Sequence, residues 1–196
     1  MTAPLDAAAT AALFGDAHTA YGWTDRPVEA ALIQTLYDLV KVGPTSANSS
    51  PARFAFCTSP EARERLAACV SANNAPRVRA APVTVVIGMD MAFYDRLPEL
   101  FPYADARSWF AHDPVVADAT ALRNSSLQGG YLILAARALG LDAGPMSGFD
   151  KDAVDAAFWA GTTVATNFIC SLGYADHAFD NPRPPKLSFE DAAQIL

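Results

Sequence analysis

The sequence predicts an α+β fold, a central sheet flanked by helices on both sides, and three stretches carry that expectation. Pro82 to Met89 (PVTVVIGM) is β-branched and apolar at successive positions, so both faces of this strand need cover and it belongs in the middle of the sheet. Ala117 to Leu139 has the length of a long helix. Its section Tyr131 to Ala136 is apolar all round, as in a helix buried in a core or a subunit interface. Asn167 to Gly173 returns as a second apolar strand.

In chain order, Leu5 to Phe14 is Ala-rich and helical. Pro27 opens a stronger helix with Leu32, Thr35, Leu36, Leu39 and Val40 on one face, and Gly43-Pro44 stops it. Arg53 to Thr58 alternates as a strand does. Ser59 as N-cap and Pro60 at the first helical position begin a helix that runs to about Asn73. Between Asp90 and Asp113 lie Phe93, Tyr94, Phe101, Tyr103, Trp109 and Phe110, with prolines at 98 and 102. The periodicity there is poor, so residues 90–113 are expected to form a lid or excursion over a site, within one domain spanning 1–196. Gly129 and Gly130 sit inside the long helix, where each costs about 1 kcal/mol relative to alanine, and a close backbone approach is expected to compensate. Gly140 ends that helix, Asp150 caps a short one reaching Trp159, and Ser188 with Asp191 has the spacing of a capping box.

Composition narrows the function. Of 196 residues, 52% are hydrophobic and only 18% charged, so a partner subunit or a cofactor is expected to cover part of the apolar surface, with a homodimer the natural arrangement. A net charge of −7 argues against nucleic-acid binding, which needs clustered Lys and Arg. No apolar run approaches the roughly 20 residues that cross a bilayer, and the N-terminus has no basic segment followed by an apolar one. Cys57, Cys69 and Cys170 are an odd set without C-x-x-C spacing, which points to a cytoplasmic protein with free thiols. His18, His112 and His177 are far apart with no ligand at helical spacing, so no metal site is expected. There is no G-x-S-x-G turn and no P-loop. Gly140, Gly144 and Gly148 follow a helix, which is the wrong context for a dinucleotide fold.

Four short polar loops remain, each at the end of an apolar element: His18-Thr19, Pro44 to Pro51, Asn74 to Arg77, and Gly144 to Phe149. Each alone reads as a cap or a turn. Together they suit a flat heteroaromatic ligand carrying one phosphate.

These loops carry a family resemblance. GPTSANSSP (Gly43 to Pro51) resembles the P-S-x-x-N-x-Q-P loop of FMN nitroreductases, and GPMSGF (Gly144 to Phe149) their P-x-x-G-F loop. AHTAYGWTDRPV resembles their N-terminal R-x-S-x-R-x-F phosphate motif, with Ala17 and Tyr21 at positions that are usually basic. Asn74 with Arg77 matches an Asn-x-x-Lys/Arg pair before the central strand, and Arg183 with Lys186 a basic pair near the C-terminus. Ser50 stands where the family often has Gln, and Ser147 replaces a common Glu. The resemblance extends over essentially the whole chain. FYDRLPELFPYADARSWF, RNSSLQGGYLILAARALGLDAGPMSGFD and KLSFEDA are similar to the subgroup of malonic semialdehyde reductases that serves pyrimidine degradation.

The resemblance implies a nitroreductase-like fold: a mixed sheet wrapped by helices in an intertwined homodimer, with FMN at the interface. It places His18 and Thr19 at the phosphate and ribityl chain, with Arg183 and Lys186 supplying charge. Asn74 and Arg77 are implied at the pyrimidine edge of the ring, where a cation stabilises the reduced flavin. Pro44, Thr45, Ser46 and Asn48 are implied to border the ring from the partner subunit, with Pro145, Ser147 and Gly148 near N5. The flavin supplies the hydride, so no protein side chain is assigned a catalytic role, and NADH or NADPH is a transient donor in a ping-pong cycle. Three readings follow: reduction of malonic semialdehyde to 3-hydroxypropionate, with Arg107 or Arg53 meeting the substrate carboxylate; broad reduction of nitroaromatics or quinones; and a non-enzymatic protein that stores or senses FMN.

Overall fold

The computed structural model describes residues 3–196. Its sheet contains β1 (Ala52–Cys57), β2 (Val83–Asp90), β3 (Asp142–Met146) and β4 (Val164–Gly173) in the order β1-β2-β4-β3. Every neighbouring pair of strands is antiparallel. The mixed character implied by the resemblance is confined, among the described residues, to one isolated parallel bridge from Thr19 to Ala143, which lays the N-terminal segment along edge strand β3. Val83 to Gly88 are all buried, which is the two-faced cover that an uninterrupted apolar strand requires.

The helices are α1 (Ala7–Thr10), continued by a π turn over Ala11–Gly15, then α2 (Ala30–Val40), α3 (Pro60–Ala67), α4 (Ala75–Ala80), α5 (Leu97–Leu100), α6 (Pro114–Ala138), α7 (Lys151–Phe158) and α8 (Phe189–Ala192). The strand period of two divides the core. Val83, Val85 and Ile87 face Leu36 and Val40 of α2 and Leu132 and Ala136 of α6. Val86 and Ile169 face Leu66 of α3, Val78 of α4 and Val154 of α7 on the other side. None of the helices is long and apolar enough to cross a membrane, among the described residues.

Several expectations change. The α2 helix begins at Ala30 instead of Pro27, and its predicted inner face is only partly inner, because Leu39 is exposed while Leu36 and Val40 are buried. The helix opened by Ser59 stops at Ala67: the chain is drawn out at Val70, which bridges Phe149, and a separate helix α4 restarts with Pro76 in its first turn. Gly144 and Pro145, expected in a polar loop, lie within β3, an edge strand, where proline's missing N–H is tolerated. Residues 90–113 form an excursion between β2 and α6. They fold as turns at Phe93–Arg96, Leu97–Leu100 and Ala106–Trp109 around a core of their own, in which Phe93, Leu97, Ala106 and Phe110 dock on Ala117 and Ala121 of α6. Three turns of different pitch leave no single periodicity to read. The close approach expected at the glycine pair exists at Gly129, where a Cβ would fall 2.4 Å from the Phe168 ring; at Gly130 it would meet nothing within 4 Å.

Candidate functional site

The N-terminal segment organises the site. The amide of Ala20 donates to the carbonyl of Ala143, so residues 18–21 run as a short extension of the sheet beyond β3. Around it lies a cavity of about 230 Å³ whose walls include His18, Thr19, Tyr21, Arg137, Arg183 and Lys186. Arg137, in the last turn of α6, donates to the carbonyl of Leu13 at 3.0 Å and is half-buried, and that burial lowers its pKa. Arg183 reaches across the chain to donate to the carbonyls of Gly15 at 2.7 Å and Ala17 at 2.8 Å, capping the π turn. Lys186 is exposed and makes no hydrogen bond or ion pair among the described residues. The arrangement places three cations around one cavity of a chain whose net charge is −7, and it suits a compact anion.

The other end of the segment meets α4. Arg77 lies with its guanidinium 4.5 Å from the centre of the Tyr21 ring and donates through Nη2 to the carbonyl of Ala20. Its Nε is buried with no partner, and burial lowers the pKa of the group, with Tyr21 opposing that shift. Arg77 thus holds donors in reserve for a ligand with oxygen or nitrogen acceptors. Asn74, just ahead of α4, donates through Nδ2 to the carbonyl of Gly148 at 3.0 Å, and a Cβ at Gly148 would fall 2.8 Å from that nitrogen. Glycine is therefore required for the 144–149 loop to close on Asn74. Pro145 and Ser147 are exposed on the same loop. Tyr21 lines the cation cavity and lies against Arg77, so the two ends share a wall.

The Pro44–Ser50 loop joins neither end within one chain. Ala47, Asn48 and Ser50 all have left-handed backbones (φ 49°, 50° and 40°), and the loop is fastened to α6. Asn124 accepts the amide of Ser46 at 2.8 Å, Gln128 accepts that of Ala52, and the Tyr131 hydroxyl donates to the carbonyl of Pro44. Asn48 donates to the carbonyl of Leu100, and Thr45 accepts the Ser50 amide.

The geometry departs from the sequence-based roles in three places. His18 lines the cavity, but both ring nitrogens are engaged, Nδ1 with the carbonyl of Asp16 and Nε2 with Asp180. Arg107 is exposed and paired with Asp95 at 2.9 Å, on an element that is packed instead of poised. Arg53 pairs with Asp90 at 2.6 Å and donates to the carbonyls of Ser50 and Ala52, so it braces β1. Sequence reasoning missed Arg137, whose signal was a lone cation in the apolar run YLILAARALG. It also missed Asn124 and Gln128, whose signal was buried polarity inside a long helix.

The nitroreductase family model matches residues 17–174. A Burkholderia lata protein provisionally named NADH dehydrogenase/NAD(P)H nitroreductase is 60% identical over 183 residues, 93% of this chain and 94% of its own. A Stenotrophomonas maltophilia protein of the same provisional name is 56% identical over 195 residues, covering both chains in full. Among solved structures, a provisionally named nitroreductase from Exiguobacterium sibiricum, solved in complex with FMN, superposes with a TM-score of 0.86 at 19% identity over the whole of both chains. A Bacillus subtilis structure under a similar name gives 0.84 at 18% identity, covering 97% of this chain and 100% of its own. The fold, the order of the loops and these matches agree: the chain belongs to the nitroreductase family.

Proposed function

We propose that the chain is an NAD(P)H-dependent oxidoreductase of the nitroreductase type that holds FMN. The observation that carries this reading is a cavity ringed by cations on one side of Tyr21 and a desolvated arginine with an unpartnered Nε against the same tyrosine ring. That donor set fits an elongated ligand with a phosphate at one end and a ring edge rich in acceptors at the other. When bound, FMN supplies the redox chemistry between nicotinamide and acceptor. Arg137, Arg183 and Lys186 would hold the phosphate, and Arg77, a cation at any ordinary pH, would meet the ring edge. The Asn74–Gly148 contact fixes the loop that borders the ring, and the pairing of His18 with Asp180 takes it out of the list of free phosphate donors.

The second copy of the chain belongs to this reading. An apolar groove on α6 is lined by Leu127, Gly130, Tyr131, Ile133 and Leu134, next to the exposed Leu122. Gly130, with nothing near its missing Cβ, lets another helix approach. The 44–50 loop is fastened to this same helix, so pairing through α6 carries the loop toward the partner's cleft.

The relatives' provisional names favour a nitro compound as acceptor, and a quinone is the second acceptor to try. The narrower reading, reduction of malonic semialdehyde in pyrimidine degradation, calls for a free cation to meet the substrate carboxylate, and Arg107 and Arg53 are both already paired. One experiment tests the proposal and ranks the acceptors. The protein is purified with FMN and reduced anaerobically with NADPH or NADH, then mixed with a nitrofuran, a quinone and malonic semialdehyde. Fast reoxidation by the nitrofuran and quinone is the expected result. A protein that takes up no FMN overturns the reading, and flavin that resists both nicotinamides leaves a storage or sensing role in its place.

A further inference from the structure

Two of the three histidines that sequence spacing keeps apart, His18 and His177, are brought together by the fold. After β4 the chain is pinned to the N-terminal segment: Trp23 bridges Ala175, and the amide of Asp176 donates to the carbonyl of Gly22. Phe179 packs so closely on Gly22 that a Cβ there would fall 2.3 Å from its ring. These contacts set the 177–180 turn beside His18. His18 Nε2 and His177 Nδ1 each lie 2.8 Å from Oδ2 of Asp180, and the three ligand atoms are all within 4.8 Å of one another.

The hydrogen bonding of His18 bears on what this cluster binds. A backbone carbonyl can only accept, so the bond at Asp16 fixes the proton of His18 on Nδ1 and turns the lone pair of the neutral ring, on Nε2, toward a carboxylate oxygen. Two lone pairs facing each other repel unless a second proton or a metal ion lies between them, and a metal ion serves both histidines and the carboxylate at once. A ring nitrogen tied to a backbone carbonyl, with the opposite nitrogen presented to a ligand cluster, is the outer-shell arrangement of metal-binding histidines. A second observation points the same way: Asp180 Oδ1 is buried and has no partner. Asp142 and Asp176 add negative potential at His177.

We propose that His18 Nε2, His177 Nδ1 and the Asp180 carboxylate bind one divalent transition-metal ion of the Zn²⁺ class. Ligands about 2.0–2.1 Å from a tetrahedral zinc lie about 3.3 Å apart, within the span of the present atoms. Two imidazoles and one carboxylate select for zinc, nickel or copper over calcium or magnesium, and at least one coordination position stays open to water. The ion fastens residues 177–180, and with them Arg183 and Lys186, to the segment that forms the cation cavity. The site stands on these three side chains and is independent of the flavin reading.

The test uses the full chain, with its FMN where present, dialysed against chelator and titrated with Zn²⁺ and Co²⁺ in chelator-free buffer. One equivalent per chain is expected, with Co²⁺ giving the visible bands of a low-coordinate nitrogen and oxygen site. His177→Gln and Asp180→Asn, both at exposed or partly exposed positions, are expected to weaken binding at least tenfold while leaving the melting temperature of the metal-free protein within a few degrees. No uptake overturns the proposal, as does uptake unchanged in His177→Gln. A long-range proton–nitrogen-15 NMR spectrum in which His18 Nε2 carries a proton in excess Zn²⁺ also overturns it, and leaves a hydrogen-bonded clasp in its place.

Discussion

Replacing Asn124 by alanine tests whether α6 holds the 44–50 loop in shape. Left-handed backbone costs about 1–2 kcal/mol for a residue other than Gly or Asn, so Ala47 and Ser50 together store roughly 2–4 kcal/mol. Opposing this are the side-chain bonds from Asn124, Gln128 and Tyr131, each worth about 1 kcal/mol net and therefore roughly 3 kcal/mol together. The two sums nearly balance, so one lost anchor matters. Asn124 is completely buried, and truncating it removes the bond to Ser46 and some packing, for about 2 kcal/mol in all. Ser46 is exposed, so water takes up its released N–H and the cost stays at that level. The open loop then becomes roughly 5–30 times more populated. The assay is native-state hydrogen exchange at the amides of Asn48 and Ser49, which bond to the carbonyls of Thr45 and Ser46, with amides of β2 as the reference. Protection is expected to fall about tenfold more at the loop than in β2. Equal losses at both places, or none at the loop, refute the claim that α6 imposes the loop's shape.

Other outcomes follow from the same geometry. Arg77→Ala removes charged donors worth about 1.5–3 kcal/mol, so the FMN dissociation constant measured by fluorescence should rise roughly 10- to 100-fold; an unchanged constant excludes Arg77 from the ring edge. Leu127→Glu puts a charge in the α6 groove and should lower the dimer fraction in sedimentation together with flavin content, whereas an intact dimer places the interface elsewhere. Thiol labelling should find one accessible cysteine per native chain, Cys69, because burial pushes Cys57 up to about 11 and Cys170 to about 12; burial and Asp150 also raise Cys69, so its labelling should lag a free thiol near neutrality and speed up as pH rises. Burial alone would raise the Asp155 carboxyl, but hydrogen bonds from Lys151 and Thr166 outweigh it and lower its pKa, so its contribution to stability is complete above the unfolded value of about 3.9 and is lost as pH falls through the folded one. Asp155→Ala strands the buried Thr166 amide and should cost about 2 kcal/mol in urea unfolding at neutral pH, with the difference from the parent shrinking in acid.

Much of the fold was legible because its signals are local. The Asp150 and Ser59 caps, the stop at Gly140 and the two-faced apolar strand at Pro82 to Met89 each depend on neighbours within a few residues. What stayed hidden depends on distant pairing. β3 forms because Gly144 and Pro145 find β4, and the helix after Ser59 ends at Ala67 because Val70 finds Phe149. The packing of the aromatic stretch was hidden because its inner face becomes visible only when Phe93, Leu97 and Phe110 meet α6. The same distinction separates the arginines. Arg77 stands in a recognisable spacing and lies against Tyr21, while Arg53 and Arg107 have no motif around them, and a lone charge cannot reveal an acidic partner 37 or 12 positions away.

The thinned phosphate motif makes physical sense once the cavity is assembled. Ala17 and Tyr21 replace basic positions with a small residue and a ring, yet the cavity is not short of charge, because Arg137 enters from α6 and Arg183 from the C-terminal segment. The exchange gives Tyr21 a second use. An arginine at 21 would repel Arg77, whereas a ring 4.5 Å away stabilises its charge. The cations around the cavity thereby come from two elements distant in sequence, the last turn of a 25-residue helix and a segment beyond the residue 174 limit of the family match. On the proposed reading, phosphate binding is coupled to the docking of residues 177–186, so anything that loosens that segment should weaken the phosphate contact before it disturbs Arg77.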